Sequence, residues 1–207
     1  MDGRFIVFEG MDGCGKGENT KRLASFLFDR SKEYDFIVVT HEPTYGKHGV
    51  QIRKLLKSET DPYRSADKLL ELYVKDRIEH LKEVITPSLK EGAMVICDRY
   101  KYSTLAFQQT QGIPLEKIIK MHDGMPVPDV VFILDIPPEG ALERLRERTA
   151  VEKFEKLEFM KKLRENYLKL VDQLPKEKIV VINASKSRES VFESIVKKLD
   201  AANILPY

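Results

Sequence analysis

The chain has 207 residues, of which 42% are hydrophobic and 33% charged, a composition typical of a soluble globular protein with one substantial core. Because 35 lysines and arginines are balanced by 33 aspartates and glutamates, the formal charge of +2 gives no general attraction to nucleic acid or to a membrane surface. No apolar run approaches the ~20 residues that span a bilayer, and the first residues lack a signal-peptide pattern, so we expect a cytoplasmic protein that binds neither nucleic acid nor membrane.

Short apolar runs alternate with longer helical patterns along the chain. The runs predict five strands, at residues 4–10, 36–40, 93–98, 130–135 and 178–183. Helical spacing of apolar residues marks residues 16–28 and 65–90. The runs are apolar throughout, as expected for a parallel sheet that helices cover on both faces. The sequence therefore predicts an α/β fold, a doubly wound five-stranded parallel sheet flanked by helices, with residues 1–207 forming one domain.

Ligands of such sheets bind beyond the carboxyl ends of the strands. The first predicted strand runs into "GMDGCGK", in which Gly10, Gly15 and Lys16 match the phosphate-binding pattern G-x-x-x-x-G-K-[ST]. Glycines let the backbone aim N–H groups at phosphate oxygens, and the dipole of the following helix adds positive charge. The sequence therefore predicts a phosphate site here. The hydroxyl residue that should follow the lysine is replaced by Gly17, and Glu18 comes next.

Two further clusters carry polar side chains suited to nucleotides. In "DRYKYS", Asp98 closes an apolar run, the usual place for a carboxylate that holds magnesium, and Arg99 can bind two phosphate oxygens at once. Tyr73 and Arg77 are four residues apart and share one face of the helix predicted at 65–90. A ring beside a guanidinium could stack on a base and bond its polar edge, although amphipathic helices often contain such pairs without a ligand.

Six segments, in this order, resemble the thymidylate kinase family and in particular its archaeal members. They are "FEGMDGCGK", "THEPTYG…IRKLL", "ELYVKDRIEH", "DRYKYSTLAFQ", "PDVVFILDIPPEGALERLRER" and "EKFEKLEFMKKLRENYLKL". The resemblance covers nearly the whole chain and implies a P-loop nucleoside-monophosphate kinase that phosphorylates dTMP to dTDP with ATP and Mg²⁺. It also implies a homodimer packed through helices and a small lid around residues 146–156.

The same resemblance implies roles for particular residues. ATP would lie against Gly10, Met11, Asp12, Gly13, Cys14, Gly15, Lys16, Gly17 and Glu18. The acceptor nucleotide would contact Glu42, Arg53, Tyr73, Arg77, Arg99, Ser103, Thr104, Phe107, Gln108 and Tyr167. Catalysis would depend on Lys16, Asp12, Arg99 and Arg148, with Lys153 or Lys156 beside Arg148 in the lid, and magnesium would be held by Asp98 and Glu9. The ring of Tyr167 would leave little room for a ribose 2′-hydroxyl, which favours deoxynucleotides.

Three positions depart from the family pattern. Gly17 lacks the hydroxyl that contacts magnesium, Glu18 replaces a threonine near the α-phosphate, and His41 replaces an arginine that contacts the acceptor phosphate, a role that Arg53 or Lys47 could take. Two like charges about 4 Å apart repel by ~1 kcal/mol in bulk water and by ~4 kcal/mol at an effective dielectric constant of about 20, so Glu18 must turn outward or accept a cation. Two alternatives therefore stay open, a kinase for another deoxynucleoside monophosphate such as dUMP, or a nucleotide-binding protein with little turnover.

Overall fold

Five parallel strands form one sheet in a computed structural model of the protein, which describes residues 3–30, 36–145, 154 and 156–205. The strands are β1 (Arg4–Glu9), β2 (Ile37–His41), β3 (Met94–Asp98), β4 (Val130–Asp135) and β5 (Ile179–Asn183). Their order across the sheet is β2-β3-β1-β4-β5, and every neighbouring pair is parallel. The predicted α/β fold is confirmed, and each predicted strand matches its observed bounds to within one residue at either end.

Helices connect the strands. Those described are α1 (Lys16–Arg30), α2 (Lys47–Ser58), α3 (Ala66–His80), α4 (Thr86–Lys90), α5 (Lys101–Thr110), α6 (Leu115–Met121), α7 (Pro138–Leu145), α8 (Leu157–Gln173) and α9 (Arg188–Ala201). The helix predicted at 16–28 is α1. The one predicted at 65–90 consists of α3, a π-helical turn at Leu81–Ile85 and α4. Pro87 has no backbone N–H to donate to the carbonyl oxygen of Glu83, and its ring crowds that carbonyl group. These two effects explain the widened turn that precedes Pro87. Within the described residues, no helix combines the length and the apolar composition needed to cross a membrane.

Burial differs between the centre and the edges of the sheet. The central strands β1, β3 and β4 are almost entirely buried, whereas Val39 in β2 and Val181 in β5 are 49% and 41% exposed. Helices therefore bury the centre of the sheet, as expected, and cover the two edge strands less completely. An edge strand has a neighbour on one side only, so helices packed over the centre reach it incompletely.

The parallel registers bring the strand ends to one edge of the sheet. Asp98 at the end of β3 is in register with Phe8 of β1 and with His41 at the end of β2. Glu9 ends β1 in register with Ile133 of β4. The segments that follow β1, β2 and β3 therefore meet above the middle of the sheet, where ligands of such folds bind.

Candidate active site

The loop between β1 and α1 closes around the ammonium group of Lys16. Nζ of Lys16 donates to the carbonyl oxygens of Gly10 at 3.0 Å and of Met11 at 2.9 Å. Gly13 has a φ of 83°, and a Cβ there would lie 2.6 Å from the backbone oxygen of Ala141, so no other residue fits. A buried cation beside the N-terminus of a long helix makes this loop suited to anions.

Two cavities open at this edge of the sheet. The larger, of about 720 Å³, is called the loop cavity; it is lined by seven of the nine residues predicted for ATP, namely Asp12, Gly13, Cys14, Gly15, Lys16, Gly17 and Glu18. The smaller, of about 220 Å³, is called the inner cavity; it is lined by nine of the ten residues predicted for the acceptor, namely Glu42, Arg53, Tyr73, Arg77, Arg99, Ser103, Thr104, Phe107 and Gln108. Asp12, Glu42 and Arg99 line both cavities, so the two adjoin.

Arg99 forms the wall between the cavities. Its Nη2 donates to Oδ1 of Asp12 at 2.5 Å, and its Nη1 donates to Ser103 Oγ at 2.8 Å and to the carbonyl oxygen of Gly10 at 3.2 Å. Its backbone φ is 71°, a left-handed conformation that costs a non-glycine residue about 1–3 kcal/mol. The surrounding contacts hold this conformation, and they point the guanidinium at the place where the two cavities meet.

Asp98 lines the loop cavity, and one oxygen of its carboxylate is unsatisfied within the described residues. Its Oδ1 is buried without a hydrogen-bond partner among the described residues. A Cβ at Gly17 would lie 3.4 Å from Asp98 Oδ2, which places the missing hydroxyl position beside this carboxylate. The described residues contain no cluster of three or more His, Cys, Asp or Glu side chains that could bind a metal without other ligands. The donor set fits a Mg²⁺ ion that takes one carboxylate and completes its shell with phosphate oxygens and water.

Glu9, the other predicted metal ligand, is fully buried and satisfied. Its Oε1 accepts from the backbone N–H groups of Tyr100 at 2.8 Å and Ser103 at 3.1 Å, and its Oε2 accepts from the hydroxyl groups of Ser103 at 2.6 Å and Tyr167 at 3.3 Å. Burial raises the pKa of Glu9. Because both oxygens are occupied in fixing the N-terminus of α5, we do not retain Glu9 as a metal ligand.

Tyr167 also differs from its predicted place. Its side chain is 1% exposed and lines neither cavity in the described part of the chain. The hydroxyl lies 3.0 Å from Ser103 Oγ and accepts from Arg99 Nη1 at 3.3 Å. The ring therefore supports the residues beneath the inner cavity, and this position gives no support to the predicted contact with a 2′-hydroxyl.

Four hydrogen-bond partners hold the guanidinium of Arg77 at the inner cavity. The side chain is 1% exposed, and Nε donates to Oε2 of Glu42 at 2.7 Å. Nη2 donates to the carbonyl oxygen of Tyr100 at 3.0 Å and to Thr104 Oγ1 at 3.1 Å, and Nη1 lies 2.6 Å from Nε2 of His122. A guanidinium has five N–H donors, so one N–H on Nη1 is left without a partner among the residues described.

Gln108 supplies the complementary group in the same cavity. Its Nε2 donates to Oε1 of Gln111 at 3.0 Å. Its own Oε1 is buried and has no hydrogen-bond partner within the described part of the chain. The inner cavity thus combines one free donor, on Arg77, with one free acceptor, on Gln108, beside the rings of Tyr73 and Phe107.

The comparison with known proteins decides the family. The model of the thymidylate kinase family matches residues 8–195. The chain belongs to this family. Among its relatives, the "Probable thymidylate kinase" of Pyrococcus horikoshii is 40% identical over 200 residues, covering 95% of each chain. That of Thermococcus kodakarensis is 39% identical over 203 residues (95% of this chain and 97% of the relative), and that of Methanococcus maripaludis is 40% identical over 202 residues (95% and 94%).

Membership of the thymidylate kinase family settles the class of chemistry. The protein is a nucleoside-monophosphate kinase, a phosphotransferase that uses ATP as its phosphoryl donor. The predicted family, fold family, enzyme class and phosphorylation of dTMP are confirmed, and neither alternative, a kinase for another deoxynucleoside monophosphate such as dUMP or a protein with little turnover, is favoured.

Two of the departures from the thymidylate kinase pattern, Glu18 and His41, have cations nearby in the structure. Glu18 lies on the rim of the loop cavity, with its carboxylate 3.6 Å from Arg188 Nε and 4.0 Å from Arg22 Nη1. Glu18 therefore lies beside two cations, which offset its negative charge near the phosphate site. His41 lines the loop cavity, and burial, followed by the charge of Arg53, lowers its pKa, which favours a neutral ring at pH 7.

Of the two cations considered as substitutes for the missing arginine, Arg53 is the better placed. Its side chain lines the inner cavity, with the guanidinium 4.7 Å from the centre of the Tyr45 ring. Lys47 instead pairs with Glu79 at 2.7 Å on the surface.

The predicted lid lies only partly within the described residues. Arg148 and Lys153 lie outside the described residues, and Lys156, just before α8, lines neither the loop cavity nor the inner cavity within the described part of the chain. The lining residues that sequence reasoning missed include Phe154 in the inner cavity and Arg144, Lys186 and Arg188 in the loop cavity. Two of these follow β5 in the strand-end segment "NASKS" or directly after it, a position that could have marked them.

Proposed function

We propose that this protein transfers the γ-phosphoryl group of Mg²⁺-ATP to dTMP, forming ADP and dTDP. The observation that carries this proposal is that the lining of the inner cavity contains one N–H donor, on Arg77, and one carbonyl acceptor, on Gln108, that have no partner among the described residues. Arg99 and Asp12 join that cavity to the loop cavity. A monophosphate seated there would have its base at the paired groups and its phosphate at the shared wall.

The paired groups match the imide edge of thymine. Thymine presents a carbonyl oxygen, which accepts, next to an N–H, which donates; these would meet the free N–H of Arg77 and Oε1 of Gln108. Cytosine presents the reverse pattern, an amino donor next to a ring acceptor, and would leave both protein groups unsatisfied. A site built to hydrogen-bond one pattern rejects the other strongly because its own buried polar groups are then left unpaired.

Uracil shares the imide edge, so dUMP is the competing acceptor. Thymine differs by one methyl group, and the inner cavity offers apolar contacts at Leu56, Phe107 and Phe154. Burying one such carbon favours binding by about 0.8 kcal/mol, which corresponds to roughly fourfold. We therefore expect dUMP to be a weaker substrate of the same site.

The phosphoryl transfer itself depends on placing charges. Lys16 would neutralise the donor phosphates, and Arg99 would hold the acceptor phosphate in line with the γ-phosphorus. An oxygen of the acceptor phosphate attacks that phosphorus, and the bond to the leaving oxygen of ADP breaks. Asp12, fixed by Arg99 at 2.5 Å, would keep the acceptor side oriented.

Magnesium would be held by Asp98. The unpartnered Oδ1 of this residue and the space beside Gly17 fit an ion that shares its shell with ATP oxygens and water. When bound, Mg²⁺ offsets the charge that develops on the transferring group and the leaving oxygen. Arg148 of the lid is proposed to add positive charge over the phosphates.

The remaining features are proposed from the family resemblance. They are a single kinase domain over residues 1–207, a homodimer packed through helices, and a cytoplasmic location. Size-exclusion chromatography with light scattering measures the dimer directly, and a monomer at all concentrations would refute it.

The function is tested by ADP formation from purified protein, Mg²⁺ and ATP, with dTMP, dUMP, dCMP or no acceptor. We expect turnover that depends on dTMP, with kcat/KM for dCMP lower by at least about a hundredfold. The variant Lys16→Ala controls for contaminating kinases, because it removes the buried ammonium of the loop. A rate that does not depend on any acceptor, or that persists in the variant, contradicts the proposal.

A further inference from the structure

The geometry points to His122 as a positioning residue that sets the hydrogen-bonding pattern of the base site by holding Arg77. The inference rests on the proposed function, because it concerns the same inner cavity. His122 follows α6, lies 45 residues from Arg77 in sequence and is 5% exposed. It lines neither cavity among the described residues, so it would act only through Arg77.

The contacts of His122 fix its tautomer. Nδ1 lies 2.7 Å from the carbonyl oxygen of Ile118, which can only accept, so Nδ1 carries the proton. Nε2 lies 2.6 Å from Nη1 of Arg77, which can only donate, so Nε2 offers its lone pair. The ring must therefore be neutral. In agreement with this geometry, burial and the charge of Arg77 lower the pKa of His122 to about 3.

His122 decides how many donors Arg77 offers to a base. Glu42, Tyr100 and Thr104 occupy three of the five guanidinium N–H groups, and His122 occupies a fourth. Without His122, both N–H groups of Arg77 Nη1 would lack a protein partner in a buried site. The imide edge of a base offers one carbonyl oxygen to this nitrogen, so one N–H would remain without a hydrogen bond. The histidine therefore makes Arg77 a donor of one hydrogen bond, in a fixed direction.

Two substitutions separate this role from a purely structural one. His122→Gln keeps a carbonyl acceptor near the position of Nε2, whereas His122→Leu fills similar space without an acceptor. In the Leu variant we expect KM for dTMP and the dissociation constant of dTMP, measured by calorimetry, to rise about tenfold. We expect kcat to change by less than about twofold, KM for ATP to stay unchanged, and the Gln variant to remain within about threefold of the natural protein.

The outcomes distinguish this inference from the proposed function. If the natural protein neither binds nor phosphorylates dTMP, the proposed function fails before any variant is compared. If the natural protein is active and the folded Leu variant has an unchanged KM, or if Gln and Leu variants lose affinity equally, His122 is not a positioning residue.

A measurement on the natural protein covers the case in which the Leu variant does not fold. ¹⁵N NMR of the histidine ring at pH 7 should show Nδ1 protonated and Nε2 without a proton. An imidazolium, or a proton on Nε2, would overturn the inference, because neither form can accept a hydrogen bond from Arg77.

Discussion

Nη2 of Arg99 lies 2.5 Å from Oδ1 of Asp12, and both residues line both cavities of the site. The pair is therefore the physical link between the loop cavity and the inner cavity. Arg99 is held in a left-handed conformation by this contact and by Ser103. The contacts thus fix Arg99 in a strained backbone conformation before any ligand binds. Such a side chain is suited to stabilise a transferring phosphoryl group, because hydrogen-bond donors that are already in position do not have to reorganise during the reaction.

Replacing Arg99 with lysine tests this link. Arg99→Lys keeps the charge but loses the planar fork that can hold Asp12 and a phosphate together. We expect kcat for dTMP phosphorylation to fall by about a hundredfold, with the melting temperature nearly unchanged. Steady-state kinetics and calorimetric unfolding measure both quantities. A Lys variant with more than about a third of the natural kcat would mean that Arg99 contributes only its charge.

Gly17 offers a gain-of-function test at the metal position. Gly17→Ser places a hydroxyl beside Asp98, and its Cβ fits because the nearest atom outside the backbone of its own helix, Oδ2 of Asp98, would be 3.4 Å away. We expect the Mg²⁺ concentration that gives half-maximal rate to fall by about tenfold. The matched control is Gly17→Ala, which adds the Cβ without the hydroxyl. Equal Mg²⁺ dependence of the Ser and Ala variants would contradict the placement of the ion beside Asp98.

His122 makes the stability of the fold depend on pH in a defined direction. Its folded pKa of about 3 lies below the unfolded value of about 6.5, because burial, Arg77 and Lys101 all disfavour the charged ring. The unfolded chain therefore binds the proton more readily, and stability is lost as the pH falls from about 6.5 toward 3. His122→Gln removes this contribution. Between pH 7 and pH 4.5, urea unfolding should show the natural protein losing roughly 2–3 kcal/mol more than the Gln variant. Equal losses would show that His122 is not buried as a neutral ring.

Gly49 is required by a close approach of two backbones. A Cβ at this position would lie 1.9 Å from the carbonyl oxygen of Thr44. The same oxygen accepts a hydrogen bond from Arg53. We expect Gly49→Ala to lower the free energy of unfolding by about 1–3 kcal/mol and to raise KM for dTMP by displacing Arg53. Gly140→Ala in α7 is the matched control, since its Cβ would meet Ile136 at an ordinary 3.5 Å and alanine favours a helix. If both variants are as stable as the natural protein, the backbones of Gly49 and Thr44 do not approach each other this closely.

The sheet and the phosphate loop could be predicted because their signals are local. Apolar runs locate the strands, and the glycine and lysine spacing locates the loop. Helix α2 gave a weaker signal because it contains few buried apolar residues; of its 12 residues, only Gly49 and Ile52 are buried. The sequence places both Glu9 and Asp98 at strand ends, where either could bind a metal.

The residues that distinguish the surroundings of these two carboxylates come from other segments of the chain. Ser103 and Tyr167 satisfy Glu9, whereas Asp98 Oδ1 has no partner among the described residues. The role of His122 is hidden for the same reason, since only the folded chain brings it to Arg77. Local patterns thus predict the elements and the loop, and contacts between distant segments decide which polar groups are free for a ligand.

Competition between two acceptors tests the central claim most directly. Equal concentrations of dTMP and dCMP are incubated with the natural protein and Mg²⁺-ATP, and the two diphosphate products are separated by chromatography. Their ratio equals the ratio of the two kcat/KM values. The free donor on Arg77 and the free acceptor on Gln108 predict at least about a hundredfold excess of dTDP. Comparable amounts of dTDP and dCDP, or an excess of dCDP, would contradict the account.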